Sequence, residues 1–74
     1  MVVEIKLFAT FRKGRFKTRE MEFSDDSSVD ALLKRLEIAQ KEVGILLVNG
    51  RYASATDKLA PHDVVSIFPS LGGG

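Results

Sequence analysis

Few side chains of this sequence can carry out covalent or metal chemistry. The 74 residues include no cysteine and one histidine, His62, which excludes disulfides, thiolate nucleophiles and cysteine-bound zinc or iron–sulfur centres. No carboxylate cluster at ligand spacing accompanies His62, and no serine has a paired base, so neither a metal site nor a serine nucleophile is predicted. The remaining candidate for chemistry is the end of the chain, Leu71-Gly72-Gly73-Gly74.

Three consecutive glycines, Gly72, Gly73 and Gly74, close the sequence. Glycine has no side chain to pack and loses the most backbone entropy when it becomes ordered, so folding gives no reason for such a run. We therefore predict one domain at residues 1–71 and a flexible glycine tail at residues 72–74. A frayed end or a cloning remnant would have the same composition.

The composition is that of a small globular domain, with 45% hydrophobic and 28% charged residues. The formal net charge of +1 gives no argument for a nucleic-acid partner. The longest apolar run, residues 45–48, is far shorter than the ~18 residues that indicate a membrane span. Glu4 and Lys6 prevent the first residues from forming the apolar core of a secretory signal, so we expect a cytoplasmic protein that does not bind membranes.

The elements that must position the chain end are predicted from hydrophobic periodicity. Val3, Ile5 and Leu7 alternate with charged residues, which predicts a strand over about residues 2–8 with one buried face. Alternation resumes over residues 16–23 and predicts a second strand, antiparallel to the first.

A single helix is predicted after a polar break. Ser27 stands three residues before Asp30, the spacing of a capping box at a helix N-terminus. Apolar residues at helical spacing then define one face of a helix of about ten residues: Val29, Leu32, Leu33 and Leu36. This face must lie on the sheet, and residues 38–44 are predicted to form an irregular connection.

The second half of the chain predicts a hairpin and a last strand. Residues 45–48 are apolar at every position, which is typical of a central strand, and Asn49-Gly50 suits a type I′ turn into residues 51–53. A tight turn at residues 61–63 leads to a strand over residues 64–68, which Pro69 ends. The order ββαββ, with the first and last strands adjacent at the centre of a mixed sheet, predicts an α+β protein with the β-grasp, or ubiquitin-like, arrangement.

Three segments resemble the ubiquitin-like sulfur carriers, typified by the small subunit of molybdopterin synthase and by the thiamine sulfur carrier. Residues 7–12, Leu-Phe-Ala-Thr-Phe-Arg, are similar to the start of the molybdopterin type. Residues 48–51, Val-Asn-Gly-Arg, match the hairpin of the family, and residues 63–74 resemble its final strand and diglycine tail. The short connection before residue 45 and the triple glycine look closer to the thiamine type.

The resemblance implies a carrier function for the Gly74 carboxylate. A ubiquitin-activating-type adenylyltransferase would use ATP and magnesium to adenylate it, and sulfur from a persulfide donor would displace AMP to leave a thiocarboxylate. An acceptor enzyme, such as the large subunit of molybdopterin synthase, would then receive the sulfur. Glycine at 72 and 73 lets the chain end pass through a narrow channel, because it has no Cβ and is free in φ.

On this reading the protein is not an enzyme, binds no cofactor itself, and supplies sulfur for molybdopterin (molybdenum or tungsten cofactor) biosynthesis. Carriers for thiamine, cysteine or tRNA thiolation are alternative destinations. A ubiquitin-like modifier or binding domain, whose tail forms an isopeptide bond or has no reaction, is the alternative from another functional class.

Two surfaces near the tail are candidates for binding partners. Phe8, Phe68, Pro69 and Leu71 are predicted to form an exposed apolar docking patch, and the resemblance adds Arg12. Packing at the strand ends is the alternative explanation. A run of cations with no acid among them, suited to an acidic partner or to phosphate unless it is simply a solvated hairpin, comprises Arg12, Lys13, Arg15, Lys17 and Arg19.

Overall fold

The structure, a computed structural model, describes residues 1–71 and contains a five-stranded mixed sheet with one α-helix. The predicted β-grasp arrangement is confirmed. In chain order the elements are β1 Val2–Leu7, β2 Thr18–Glu22, α1 Val29–Arg35, β3 Val43–Val48, β4 Arg51–Tyr52 and β5 Val64–Pro69. Two short 3₁₀ turns complete them, Ala9–Arg12 after β1 and Gln40–Glu42 before β3.

The strand order in the sheet is β2-β1-β5-β3-β4. The first and last strands are parallel neighbours, with Glu4 paired to Val64 and Leu7 to Ile67, as the sequence predicted. All other pairs are antiparallel. Residues 45–48 lie in β3, an interior strand that pairs with β5 and with the two-residue β4. The expected burial of both faces is not found, because Ile45 is 41% exposed and β5 occupies the centre of the sheet.

The core lies between α1 and one face of the sheet. Alternate residues of β1 and β5 point to the helix and are almost fully buried: Val3, Ile5, Leu7, Val65 and Ile67. From the other side the predicted helix face, Val29, Leu32, Leu33 and Leu36, is buried against them. Across residues 1–71 no α-helix covers the opposite face of the sheet, so the alternate residues of β1 and β5 on that face are exposed or half-buried.

The helix begins without the predicted capping box. Ser28, not Ser27, is the N-cap, and its side chain makes no capping hydrogen bond. The first free amides of the helix are satisfied by the loop after β4 instead: Val29 N–H donates to the Asp57 carbonyl at 2.9 Å and Asp30 N–H to the Ala55 carbonyl at 2.8 Å. Backbone acceptors from a distant loop replace the side-chain cap.

The helix ends earlier than predicted, after seven residues. Glu37 adopts a left-handed φ of 58°, its amide donates to the Lys34 carbonyl at 3.0 Å, and the Ile38 amide donates to the Leu33 carbonyl at 3.0 Å. These two bonds form a Schellman motif, which normally has glycine at the left-handed position. Ile38 then turns inward and is buried in the core.

Candidate functional site

The end of β5 is held tightly where it leads into the glycines. The Ser70 amide donates to the Glu42 carbonyl at 2.8 Å, next to an irregularity in the β3–β5 pairing. A Cβ on Gly44 would lie 2.7 Å from the Pro69 carbonyl oxygen and 2.9 Å from Ser70 Cα, which is closer than packed atoms allow. Glycine at position 44 therefore lets β3 approach the backbone from which the tail departs.

Phe8 and Phe68 stack on the sheet face that α1 leaves uncovered. Their ring centroids are 4.1 Å apart and the rings are within 9° of parallel. Each phenylalanine follows a buried residue of its strand, Leu7 or Ile67, and strand alternation therefore places both rings on the open face. Because β1 and β5 are parallel and Leu7 pairs with Ile67, the residues that follow them are neighbours and their rings stack face to face.

Arg12 lies over this stack. A 3₁₀ turn that starts at Ala9, with φ of 52°, brings the chain back towards β1. The Arg12 guanidinium carbon lies 5.3 Å from the centre of the Phe8 ring, and its Nε donates to the Leu7 carbonyl at 2.7 Å. A cation on the face of a ring is attracted by the π-electrons, and the carbonyl fixes its orientation.

The structure thus brings together three of the five predicted docking residues, Phe8, Arg12 and Phe68. Pro69 is half-buried at the end of β5, and the Leu71 side chain is 96% exposed beyond it. Gly72, Gly73 and Gly74, to which the sequence assigned the reactive end and its tail, lie outside the described residues.

The open face carries further apolar side chains that sequence reasoning missed. Ile45 pairs with Phe68 and Tyr52 with Leu47, so these residues continue the apolar surface across the sheet. Ile45 is 41% and Tyr52 83% exposed. We call Phe8, Ile45, Leu47, Tyr52 and Phe68 the open-face patch. Only the strand register reveals it, because the members come from four strands or strand ends.

His62, the one histidine of the sequence, lies apart from this surface and is exposed in the turn before β5. Within residues 1–71 no three potential metal ligands lie together, and no helix there has the length and hydropathy to cross a membrane. Hydrogen bonds from Gln40 and then from Lys34 lower the pKa of Asp30.

Comparison with known proteins identifies the family. The model of the ThiS family matches residues 5–74, and a search of curated proteins found no match. A solved structure from Pyrococcus furiosus, provisionally named molybdopterin converting factor subunit 1, has a TM-score of 0.79 at 28% identity over 96% of this chain and 99% of that one.

Two further solved structures share the fold. Small archaeal modifier protein 1 of Haloferax volcanii has a TM-score of 0.77 at 23% identity, over 95% of this chain and 98% of its own. The complex of subunits 1 and 2 of molybdopterin-converting factor from Helicobacter pylori gives 0.65 at 20% identity, over 100% of both chains. With the family match across nearly the entire sequence, the chain belongs to the ThiS family of ubiquitin-like sulfur carriers.

Proposed function

We propose that the carboxylate of Gly74 is activated and converted to a thiocarboxylate that donates sulfur. The observation that carries the proposal is the family match, which continues through residue 74 and so includes the three glycines. No cysteine is present to carry sulfur in any other way. Two structural features support the proposal. The hydrogen bond of Ser70 holds the backbone just before the glycines in place, and the adjacent open-face patch offers a surface on which a partner can dock.

The proposed chemistry requires partners for each step. An adenylyltransferase of the ubiquitin-activating type, with ATP and magnesium, joins AMP to the Gly74 carboxylate and releases pyrophosphate. The terminal sulfur of a persulfide then attacks the acyl carbon and AMP leaves. A second thiol of the donor reduces the resulting acyl disulfide, which frees the thiocarboxylate and leaves a disulfide on the donor. The carrier contributes only the chain end and its placement.

The destination that we propose is molybdopterin synthesis, with the large subunit of the synthase as acceptor. The Pyrococcus neighbour, provisionally named subunit 1 of molybdopterin converting factor, supports this choice at 28% identity. The Leu7-Phe8-Ala9 and Arg12 pattern, which resembles the molybdopterin type, supports it as well. Thiamine, cysteine and tRNA thiolation use the same carrier chemistry and remain the alternative destinations.

Modification of protein lysines is the second candidate function. It shares the activated Gly74 intermediate and the fold, which small archaeal modifier protein 1 also has. The two functions differ in the nucleophile that displaces AMP: a persulfide sulfur in one, a lysine amine in the other.

Intact mass measurement separates these functions. The full chain is incubated with a cognate activating enzyme, ATP, magnesium and a persulfide source, and we expect exchange of one oxygen for sulfur. A chain lacking Gly73 and Gly74, or one with a C-terminal tag, should fold normally and gain no sulfur. Sulfur on the tagged chain, or lysine conjugates without any thiolation of the free chain, would contradict the carrier proposal.

A further inference from the structure

A second surface, on the helix side of the sheet, is strongly cationic. It is a groove of about 440 Å³ between the outer edge of β2 and the C-terminal end of α1. Its cationic residues are Lys13, Arg15, Arg19 and Arg35, which we call the basic groove, and Phe16, Met21 and Leu36 contribute apolar side chains. Arg19 pairs with Ile5, whose buried side chain faces α1, so the groove lies on the opposite side of the sheet from the open-face patch.

The charges of the basic groove are not neutralised within the part of the chain that the structure describes. The ion pairs there join other residues: Met1 with Asp25, Lys6 with Glu4, and Lys34 with Asp30. Glu37 is the one acid that lines the groove. Four cations beside one carboxylate produce a local excess of positive charge in a chain whose formal net charge is only +1.

The arginines are already held in position. Arg19 lies 4.6 Å from the centre of the Phe16 ring and Arg35 4.6 Å from that of Phe23. The guanidinium of Arg15 donates to the carbonyls of Leu36 at 3.0 Å and of Glu37 at 3.2 Å, where α1 ends. Ordered side chains lose less conformational entropy when a ligand binds, and each guanidinium retains N–H groups for it.

We infer that the basic groove binds a short acidic segment of a partner protein through its carboxylates. The planar fork of arginine matches a carboxylate bidentately, and three of the four cations are arginines. A long polyanion such as nucleic acid fits less well, because Glu37 lines the groove itself. A polyanion that extended past the edge of β2 would also meet Glu20 and Glu22, which are exposed on the other face of that strand. A short segment bound there leaves the open-face patch free, so the two surfaces can hold two partners at once.

The probe for this inference is a peptide of ten glutamates, titrated into the isotope-labelled full chain at low salt while amide chemical shifts are recorded. We expect shifts confined to residues 13–19 and 35–37, and loss of binding at high salt. The variant Arg19→Glu/Arg35→Glu should weaken binding by about tenfold or more. Lys41→Glu/Arg51→Glu makes the same change in net charge at exposed positions outside the groove and should bind within about twofold of the unmodified chain.

Three outcomes would overturn the inference. The first is an equal loss of binding in both double variants, which would show a general charge effect. The second is tighter binding of a ten-residue thymidine oligonucleotide or of inorganic phosphate than of the glutamate peptide, which would favour a phosphate ligand. The third is the absence of any shift at the groove. Because Arg35 also bonds the Glu22 carbonyl, the milder Lys13→Gln/Arg19→Gln variant, compared with Lys41→Gln/Arg51→Gln, provides the charge-matched comparison if the first variant unfolds. None of these outcomes depends on the reaction of Gly74.

Discussion

The side chains of Asn49 and Asp63 join the β3–β4 turn to the start of β5. Asn49 Nδ2 donates to the Asp63 carboxylate at 2.9 Å, and Asn49 Oδ1 accepts from the Val64 amide at 2.9 Å. Asp63 is buried and also accepts from the Ala60 amide at 2.8 Å. The asparagine therefore has two functions: it tolerates the left-handed φ of 53° in the turn, and it fixes the strand that carries the chain end.

Removing the Asp63 carboxylate should destabilise the domain. We expect Asp63→Ala to lower the free energy of unfolding by about 1–3 kcal/mol, because the side-chain amide of Asn49 and the backbone amide of Ala60 lose their buried acceptor. Asn49→Gly keeps the turn conformation but deletes the amide, and so measures the hydrogen bonds without backbone strain. Urea denaturation provides the values. Asp26→Ala, at an exposed position, is the control, and an equally large loss there would refute the role of Asp63.

The contact between β3 and the tail base predicts a specific defect for Gly44→Ala. The added Cβ meets backbone atoms of Pro69 and Ser70 that cannot move independently, so Ser70 should lose its bond to Glu42. We expect faster amide exchange at Ser70 and a lower kcat for thiolation, with little change in affinity for the activating enzyme.

Gly14→Ala is the matched control for this change. Gly14 has a φ of +73° and open space around it, so alanine there adds backbone strain away from the tail. If Gly14→Ala slows thiolation as much as Gly44→Ala does, general destabilisation explains both, and the positioning role of Gly44 is wrong.

Docking to the activating enzyme should depend on the open face. Phe68→Ala removes half of the ring stack and Arg12→Ala removes the cation over Phe8; each should weaken capture by about tenfold while the amide spectrum stays native. Titration calorimetry with the activating enzyme measures the affinity. Lys34→Ala, at an exposed position of α1 on the other side of the sheet, should bind normally. Unchanged affinity in the first two variants would remove both residues from the site.

The buried helix face predicts a large loss of stability for Leu33→Ala. Leu33 is 2% exposed in the core, and truncation of such a leucine costs about 2–5 kcal/mol because a cavity is left. Lys34→Ala on the adjacent solvent side should change stability by no more than about 0.5 kcal/mol. A loss of that small size for Leu33 would mean that the helix face is assigned incorrectly.

The C-terminus of α1 predicts a stabilising substitution. Glu37 has a left-handed φ of 58°, which costs a residue with a Cβ about 1 kcal/mol relative to glycine. Glu37→Gly should therefore raise the free energy of unfolding by about that amount. Lys34→Gly, inside the helix, should lower it by a similar amount. Thermal unfolding that shows both variants destabilised would contradict the strain at Glu37.

Hydrophobic periodicity predicted the strands and turns whose signals lie within their own residues. Alternation at Val3, Ile5 and Leu7 located β1, and Asn49-Gly50 located the turn, because these signals are local. The Schellman motif was missed since glutamate stands where glycine would indicate it. The capping box was predicted wrongly because the loop at residues 55–57 supplies the acceptors, which the sequence around the helix does not reveal.

In the candidate site, too, local features were predicted from the sequence and contacts between distant segments were not. Phe8 and Phe68 were predicted from the apolar residues near the chain end, and Arg12 was added by the resemblance. Ile45 joins them only through the register of β3 with β5. Gly44 resembles any loop glycine in the sequence, and its contact with Pro69 depends on the approach of two distant segments. The reactivity of Gly74 remains a prediction from family and composition.

The sheet cannot assemble without β5, the strand that lies just before the C-terminal glycines in the sequence. β5 separates the β1–β2 hairpin from the β3–β4 hairpin and is the only strand that pairs with both, among the residues described. A chain cut before Val64 would retain two hairpins with no shared strand, each too small to be stable alone. Translation must therefore deliver Val64–Pro69 before the sheet can close. Incompletely synthesised chains would stay unfolded and open to proteolysis. Chains that lack the C-terminal glycines would therefore not compete with complete chains for binding partners.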